Sequence, residues 1–353
     1  MTAKTRYFVI SSLLVMFVGL GSGLVAYYGG FPASAFTSAG GPEELQYIPK
    51  DAAVVAYADV RHIMTSELRQ RIRRAVPGQE NGQQEFQNHT GINIETDIDH
   101  VVASLQPGVA GSNVPATGIV VVRGSFNEAT IEALMREHGA QVEQYKGKRI
   151  VVAPAGHHRA GQSGTEAADP TASAPAETAQ TPEFALAFLK PGLVAVGTPA
   201  LLKQAIDLES GGASVLTNEE MMNAVRSLDV GNAWVVGRFD VLKSAAKLPT
   251  GIGELPPIAL VSATATVNDG VSATLKAEAS TEEAAKNLRD VVQGFVALAS
   301  LQAGSKPELK ALVQSLELSG AGKTVALSFS VPGRILDLVA PAAGAKAGSQ
   351  RAH

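Results

Sequence analysis

Hydrophobic and polar positions follow different rules in different parts of this chain. From Tyr7 to Tyr28 the apolar run FVISSLLVMFVGLGSGLVAYY carries no charge. About 20 such residues suffice for a helix to cross the hydrocarbon core of a bilayer. Such a helix satisfies its own backbone hydrogen bonds where lipid cannot. Beyond residue 41 the apolar positions come in short runs and stripes. Ala53–Tyr57, Val101–Leu105 and Ile119–Arg123 read as strands. A helix is predicted from Arg61 to Val76, with Ile63, Met64, Leu68 and Ile72 on one face. Asn127 is placed to cap a helix with Ile131, Leu134 and Met135 inward and Gly139 at its end.

Turn and cap residues punctuate the rest. Lys146-Gly147-Lys148 separates Val142–Tyr145 from Arg149–Ala153, and Lys190-Pro191-Gly192 separates Phe184–Leu189 from Leu193–Gly197. Thr198 with Pro199 opens a helix that turns Ala205 and Ile206 inward. Thr217-x-x-Glu220 and Ser280-x-x-Glu283 match the capping box. The second opens a long amphipathic helix through Leu288, Val291, Val292, Phe295 and Leu298. Trp234–Phe239 and Val325–Val331 read as strands. Asn268-Asp269-Gly270 predicts a hairpin between Ile258–Val267 and Val271–Ala279, because these residues tolerate positive φ.

Similar motifs recur in the same order. Asp51-Ala52-x-Val54-Val55 before Asp59-Val60 resembles Asn232-Ala233-x-Val235-Val236 before Asp240-Val241. Caps at Asn127 and Ser280 each open an amphipathic helix, and Gly147-Lys148-x-Ile150 resembles Gly322-Lys323-x-Val325. The expected class is α+β: an N-terminal transmembrane helix, then a duplicated, largely antiparallel sheet with packed helices. Residues 1–6 are read as the N-terminus inside the cell, 7–28 as the anchor and 29–46 as a tether. The first α+β half spans 47–227, with a disordered insertion at 155–181 whose Ala, Gly, Ser, Thr and Pro cannot bury a core. The second half spans 228–339 and a disordered tail 340–353.

Lys4 and Arg6 precede the anchor, and no charge follows until Glu43. The positive-inside rule then leaves the N-terminus in the cytoplasm and exports the bulk of the chain. Ala33-Ser34-Ala35 offers a signal-peptidase site as the rival reading, but a signal core is usually about 7–15 residues, shorter than this run. Gly19 and Gly23 form a GxxxG pair that permits close helix approach and is also common without it.

The anchor, the Pro49-Lys50-Asp51-Ala52 strand entry, the hairpin from Tyr145 to Val151 and the Leu193–Leu202 segment resemble exported, membrane-anchored bacterial families known only as domains of unknown function. The resemblance covers most of the chain after Gly41 and lies in apolar framework. It implies the envelope location and transfers no catalytic residue.

Composition narrows the chemistry. The net charge of −4 argues against a general nucleic-acid binder, and the absence of cysteine removes disulfides, thiolate zinc sites and a Cys nucleophile. His157 and His158 lie in the disordered insertion without a third ligand in suitable spacing. Asp97, Asp99 and His100 form a polar cluster before a strand, more simply a turn than a metal or base site. His62 and His138 read as surface or helix-end residues. No G-x-S-x-G is present, and Ser305-Lys306 lies in a polar loop. Gly320-Ala321-Gly322-Lys323-Thr324 echoes a phosphate loop, but Glu317 stands where the first glycine belongs and a strand follows. Arg61, Arg69, Arg71, Arg73 and Arg74 crowd one helix, either as a lipid-facing basic surface or as the solvated side of a core helix.

No catalytic, cofactor or metal residue is assigned. The leading expectation is a binding or scaffolding protein displayed outside the cytoplasmic membrane. The membrane is its partner through the helix, a protein partner in the envelope is possible, and nucleic acid is not expected. The alternatives are an anchored hydrolase whose residues meet only in the fold, and a carrier of lipid or another apolar ligand.

Overall fold

The computed structural model describes residues 41–75, 80–107, 117–153, 184–229, 231–245, 256–302, 310 and 313–333. The anchor, the Ala33–Ala35 site, the insertion with His157 and His158, Ser305-Lys306 and the tail lie outside the described residues. Among those described, no helix is long and apolar enough to cross a membrane.

A 3-10 helix at Glu43–Tyr47 leads into β1 (Val54–Ala58). Next come α1 (Val60–Thr65), α2 (Glu67–Ala75), α3 (Glu80–Thr90) and α4 (Ile94–Asp97). β2 (Ile98–Gln106), β3 (Thr117–Gly124) and α5 (Glu128–Glu137) precede the hairpin of β4 (Gln141–Tyr145) and β5 (Lys148–Val152). β6 (Ala185–Lys190), β7 (Leu193–Gly197), α6 (Pro199–Glu209), a 3-10 turn at Val215–Thr217 and α7 (Glu219–Arg226) follow. The chain continues with β8 (Ala233–Arg238), α8 (Phe239–Ala245), β9 (Ile258–Val267), β10 (Val271–Ala279), α9 (Glu282–Gln302), β11 (Glu317–Ser319) and β12 (Thr324–Val331).

The twelve strands of the described residues join one antiparallel sheet in the order β11-β12-β10-β9-β8-β1-β2-β3-β7-β6-β5-β4. The α+β reading holds at this level. The strand pair β1–β8 makes the sheet continuous between the two parts of the chain. β12 lies directly beside β10, whereas β7 and β6 stand between β3 and β5. The Gly147-Lys148 and Gly322-Lys323 matches therefore occupy different places, because the first half holds an extra hairpin.

The sheet changes character along its width. From β1 to β6 both faces are covered, which is why β6 and β7 read as nearly continuous apolar runs. One face packs Val55, Tyr57, Val121 and Trp234 against Leu45, Tyr47, Leu202, Ile206 and Met222 of the 3-10 helix, α6 and α7. The other packs Val101, Val122 and Val194 against Ile63, Ile94 and Ile131 of α1, α4 and α5. Beyond β8, α9 covers part of the second face through Ala284, Ala285 and Leu288.

Several boundaries differ from the sequence reading. The predicted 61–76 helix breaks at Ser66, which turns extended (ψ 149°), donates its hydroxyl to Ile63 O at 2.7 Å and accepts Arg69 N at 3.2 Å. A side chain able to serve the backbone this way ends one helix and caps the next. Asn218, not Thr217, caps α7 by accepting Met221 N, and Thr281, not Ser280, caps α9 by accepting Ala284 N. The hairpin at Asn268–Gly270 forms without positive φ at its polar residues. Its glycine is needed for space, since a Cβ there would lie 2.5 Å from Val331 O. Glu43–Tyr47, at the end of the presumed tether, is packed into the fold, with Leu45 fully buried.

Candidate functional site

Four strands and the 3-10 helix bring charged and aromatic groups together. His100 and Arg123 are cross-strand partners on β2 and β3. Arg123 donates through Nε to Glu44 Oε1 and through Nη2 to Glu43 Oε1. The Glu44 side chain is 1% exposed. His100 Nε2 lies 3.1 Å from Glu44 Oε2. Neither atom has an aligned hydrogen-bond partner, so their contact is electrostatic. The His100 ring tilts against Tyr57 at 5.6 Å, and Tyr57 stacks on Trp234 at 5.9 Å.

Electrostatics make this a clamp. Burial by itself would raise the Glu44 carboxyl, but the His100 ring and the Arg123 guanidinium outweigh it and hold the group down to about 2. Such a carboxylate is a poor proton acceptor at neutral pH. Burial pushes the Tyr57 hydroxyl up, with the charges of Asp59 and Glu44 adding to the effect. Removing Arg123 would leave the buried Glu44 charge without its cation.

A second region lies on the same face beyond β8, where α7 reaches only the near part of the sheet: Ser262 and Thr264 of β9 are buried, and Ser272, Thr274 and Ser328 beyond them are half-buried. A groove of about 270 Å³ runs over β9, β10 and β12 past Thr264, Thr274 and Ser328. A groove of about 450 Å³ lies between α7 and β10, with Asn223, Ser262, Lys276 and Glu278 in its walls. Lys276 crosses to the end of α7, donating to Ser227 O at 3.3 Å and pairing with Asp229 at 2.9 Å.

No family model matches the chain. No curated protein matches it either. Two solved chains do. One, described as the structure of crystal form I of TP0453, aligns with a TM-score of 0.44 and 10% identity, over 84% of this chain and 96% of that one. A likeness this slight says nothing about what the chain does.

The polar residues singled out in the sequence are scattered. Asp97 accepts Asn93 N at 2.8 Å and closes the α4 turn, while Asp99 pairs with Arg61 at 2.5 Å. The register shift between Ile98 and His100 sends His100 alone into the clamp. His62 is exposed on α1, and His138 ends α5 with Nδ1 2.7 Å from Leu134 O. Gly320 (φ 106°) and Gly322 (φ 56°) turn β11 into β12, so the phosphate-loop echo is a hairpin. The arginines are engaged: Arg69 and Arg73 both lie 3.7 Å from Glu95, and Arg71 is 3.4 Å from Glu67. Among the described residues no group of three or more His, Asp or Glu side chains could hold a metal.

Sequence reasoning missed Glu44 and Arg123. Glu43-Glu44 stood in a stretch assigned to a tether. The available signal was Leu45, Tyr47 and Ile48, apolar residues packed closely behind the two acids and before Pro49.

Proposed function

We propose that this chain is a membrane-anchored, exported binding or scaffolding protein, built from two related α+β halves and held in the cytoplasmic membrane by Tyr7–Tyr28. The observation that carries the reading is where the chain enters the fold. At the end of the stretch read as a tether, Glu43 and Glu44 lock onto Arg123, and Leu45 and Tyr47 are buried. A body fixed this way follows its tether as a rigid unit, as display from a membrane requires. The likeness between Asp51–Val60 and Asn232–Val241 supports the two related halves.

The same residues weigh against an anchored hydrolase, since the buried carboxylate beside His100 is committed to Arg123 and weakly basic. A lipid carrier would need an apolar cavity, whereas the two grooves mix hydroxyls and charges with Ala224, Leu260, Ala265, Ala273 and Phe329. The test is a reporter fused after Gly41, with protease accessibility of the full chain in cells. Activity of an export-dependent reporter and digestion from outside are expected. A body protected inside the cytosol, with the first forty residues intact, overturns the assignment.

A further inference from the structure

We propose that the later turns of α9 are a pairing surface for a second copy of this chain, packed antiparallel about a two-fold axis that passes the helix at position 296.

The argument begins with what α9 leaves uncovered. Its first turns bury Ala284, Ala285 and Leu288 against Val325 and Leu318. From Val291 onward the helix carries no charge, and no residue is fully buried. Among the described residues, four of the six exposed large apolar side chains lie here: Val291, Phe295, Leu298 and Leu301, the last at 80%. Exposed apolar groups gathered on one element mark a contact surface, whereas single ones do not.

The spacing of the stripe is self-complementary. Val291 and Leu301 stand five residues either side of position 296, and Gly294 and Leu298 stand two either side. At 3.6 residues per turn these four positions fall within about 80° of one another, and Phe295 borders them. Turned about the two-fold, Leu298 meets Gly294 of the second copy, and Val291 meets its Leu301. A Cβ added at Gly294 would touch nothing within 4 Å, so the notch that receives Leu298 opens outward. Each copy thus supplies both the knob and the hole, the condition for a closed, symmetric contact.

Charge argues against other occupants. Helices that lie on lipid carry Lys and Arg along their polar side. These turns carry none, and the nearest cation, Arg289, donates to Thr324 O at 3.4 Å. Different proteins commonly use charge to fix their orientation, and the stripe offers none. An uncharged seam faces its own copy without repulsion. Four side chains per copy fall short of the roughly 1,000 Å² that a stable contact buries, so the pairing is reversible in solution. Copies held in one membrane raise the effective concentration. That last step rests on the anchored reading; the seam does not.

The test uses the full chain in detergent micelles. Because the protein has no cysteine, introduced thiols report only the intended contact. A Val291→Cys chain mixed with a Leu301→Cys chain under mild oxidation should yield at least tenfold more linked dimer than either alone. Two copies of position 291 would lie about 15 Å apart along the helix axis, beyond disulfide reach. Adding Leu298→Glu to both chains should cut the yield at least tenfold while the melting curve stays that of the parent. Gly294→Glu gives a second reading if that variant folds poorly. The pairing is overturned if no cross-link forms, if single positions link as well as the mixture, or if folded charged variants link like the parent. A Leu298→Cys chain shielded from maleimide in native envelopes, with no cross-link between copies, would assign the stripe to lipid or another protein and equally overturn it. A soluble cytosolic chain that still links would remove the anchor and leave the seam. An anchored chain that does not link would remove the seam alone.

Discussion

Val55 on β1 lies directly across the central strand pair from Val236 on β8, and both are fully buried. The sequence motifs beginning at Asp51 and Asn232 align these same two residues. Val54 faces Gly237 and Ala56 faces Val235, so the pairing runs symmetrically outward from the valines. The ladder continues to Asp59 N–Asn232 O at 3.1 Å and Arg238 N–Ala53 O at 2.9 Å. A self-complementary contact of this form is what two copies of one strand make about a two-fold axis.

The central pair should therefore behave as one packing unit. Val55→Ala and Val236→Ala are each expected to cost about 1–2 kcal/mol. The double variant should depart from additivity by about 0.5 kcal/mol or more, as contacting residues do. Urea unfolding of the four proteins measures this. Strict additivity would mean that the two side chains do not share a site.

Acid should loosen the clamp at Glu44. Its carboxyl is lowered from 4.5 to about 2 in the folded protein, so its stabilisation is full above 4.5 and disappears as pH falls through about 2. Glu44→Gln is expected to cost about 1–3 kcal/mol at pH 7, because it removes the buried half of the pair and leaves Arg123 with Glu43 alone. It should also flatten the decline in melting temperature between pH 4.5 and 2. An unchanged acid limb in the variant would assign that decline to other carboxylates.

The apolar stripe of the long helix α9 is covered near its start and exposed further along. Leu288 is buried at 6%, whereas Phe295 is 50% exposed and Leu298 51% exposed. Leu288→Ala should destabilise by about 2–4 kcal/mol, while Phe295→Ser should change stability by less than about 1 kcal/mol. Chemical denaturation distinguishes them. Equal losses would place Phe295 in the core.

Two glycine-to-alanine changes should have opposite signs. At Gly294, within α9, an added Cβ meets nothing within 4 Å, so alanine should stabilise by about 0.5–1 kcal/mol through helix propensity. At Gly124 the Cβ would lie 2.0 Å from Asp97 O, so the β3 end must move and the protein should lose about 2 kcal/mol or more. Melting temperatures shifting in the same direction would contradict this.

Much of the fold was legible because it is local. The hairpin at Lys146-Gly147 needs positive φ at both residues (47° and 79°), and the Thr198-Pro199 start obeys capping rules that operate within a few residues. α3 escaped because its segment ENGQQEFQNHT offers one apolar side chain, Phe86, and no period. The exposed later turns of α9 were misjudged for the opposite reason. Val291, Phe295 and Leu298 fit the helical stripe, but periodicity marks an apolar side without saying whether a partner meets it.

By itself the sequence determined the uncharged run at residues 7–28, the antiparallel hairpins and the helix starts at Asn127 and Thr198, since each depends on neighbours in the chain. Only the tertiary structure decided which polar residues meet. Glu44 and Arg123 are 79 positions apart and join because β3 runs beneath the 3-10 helix. Thr264, Thr274 and Ser328 share one row because strand register, set by turns and packing, aligns them. Hydrophobic pattern encodes which side of an element is buried, while contacts between distant polar groups depend on how the elements are stacked.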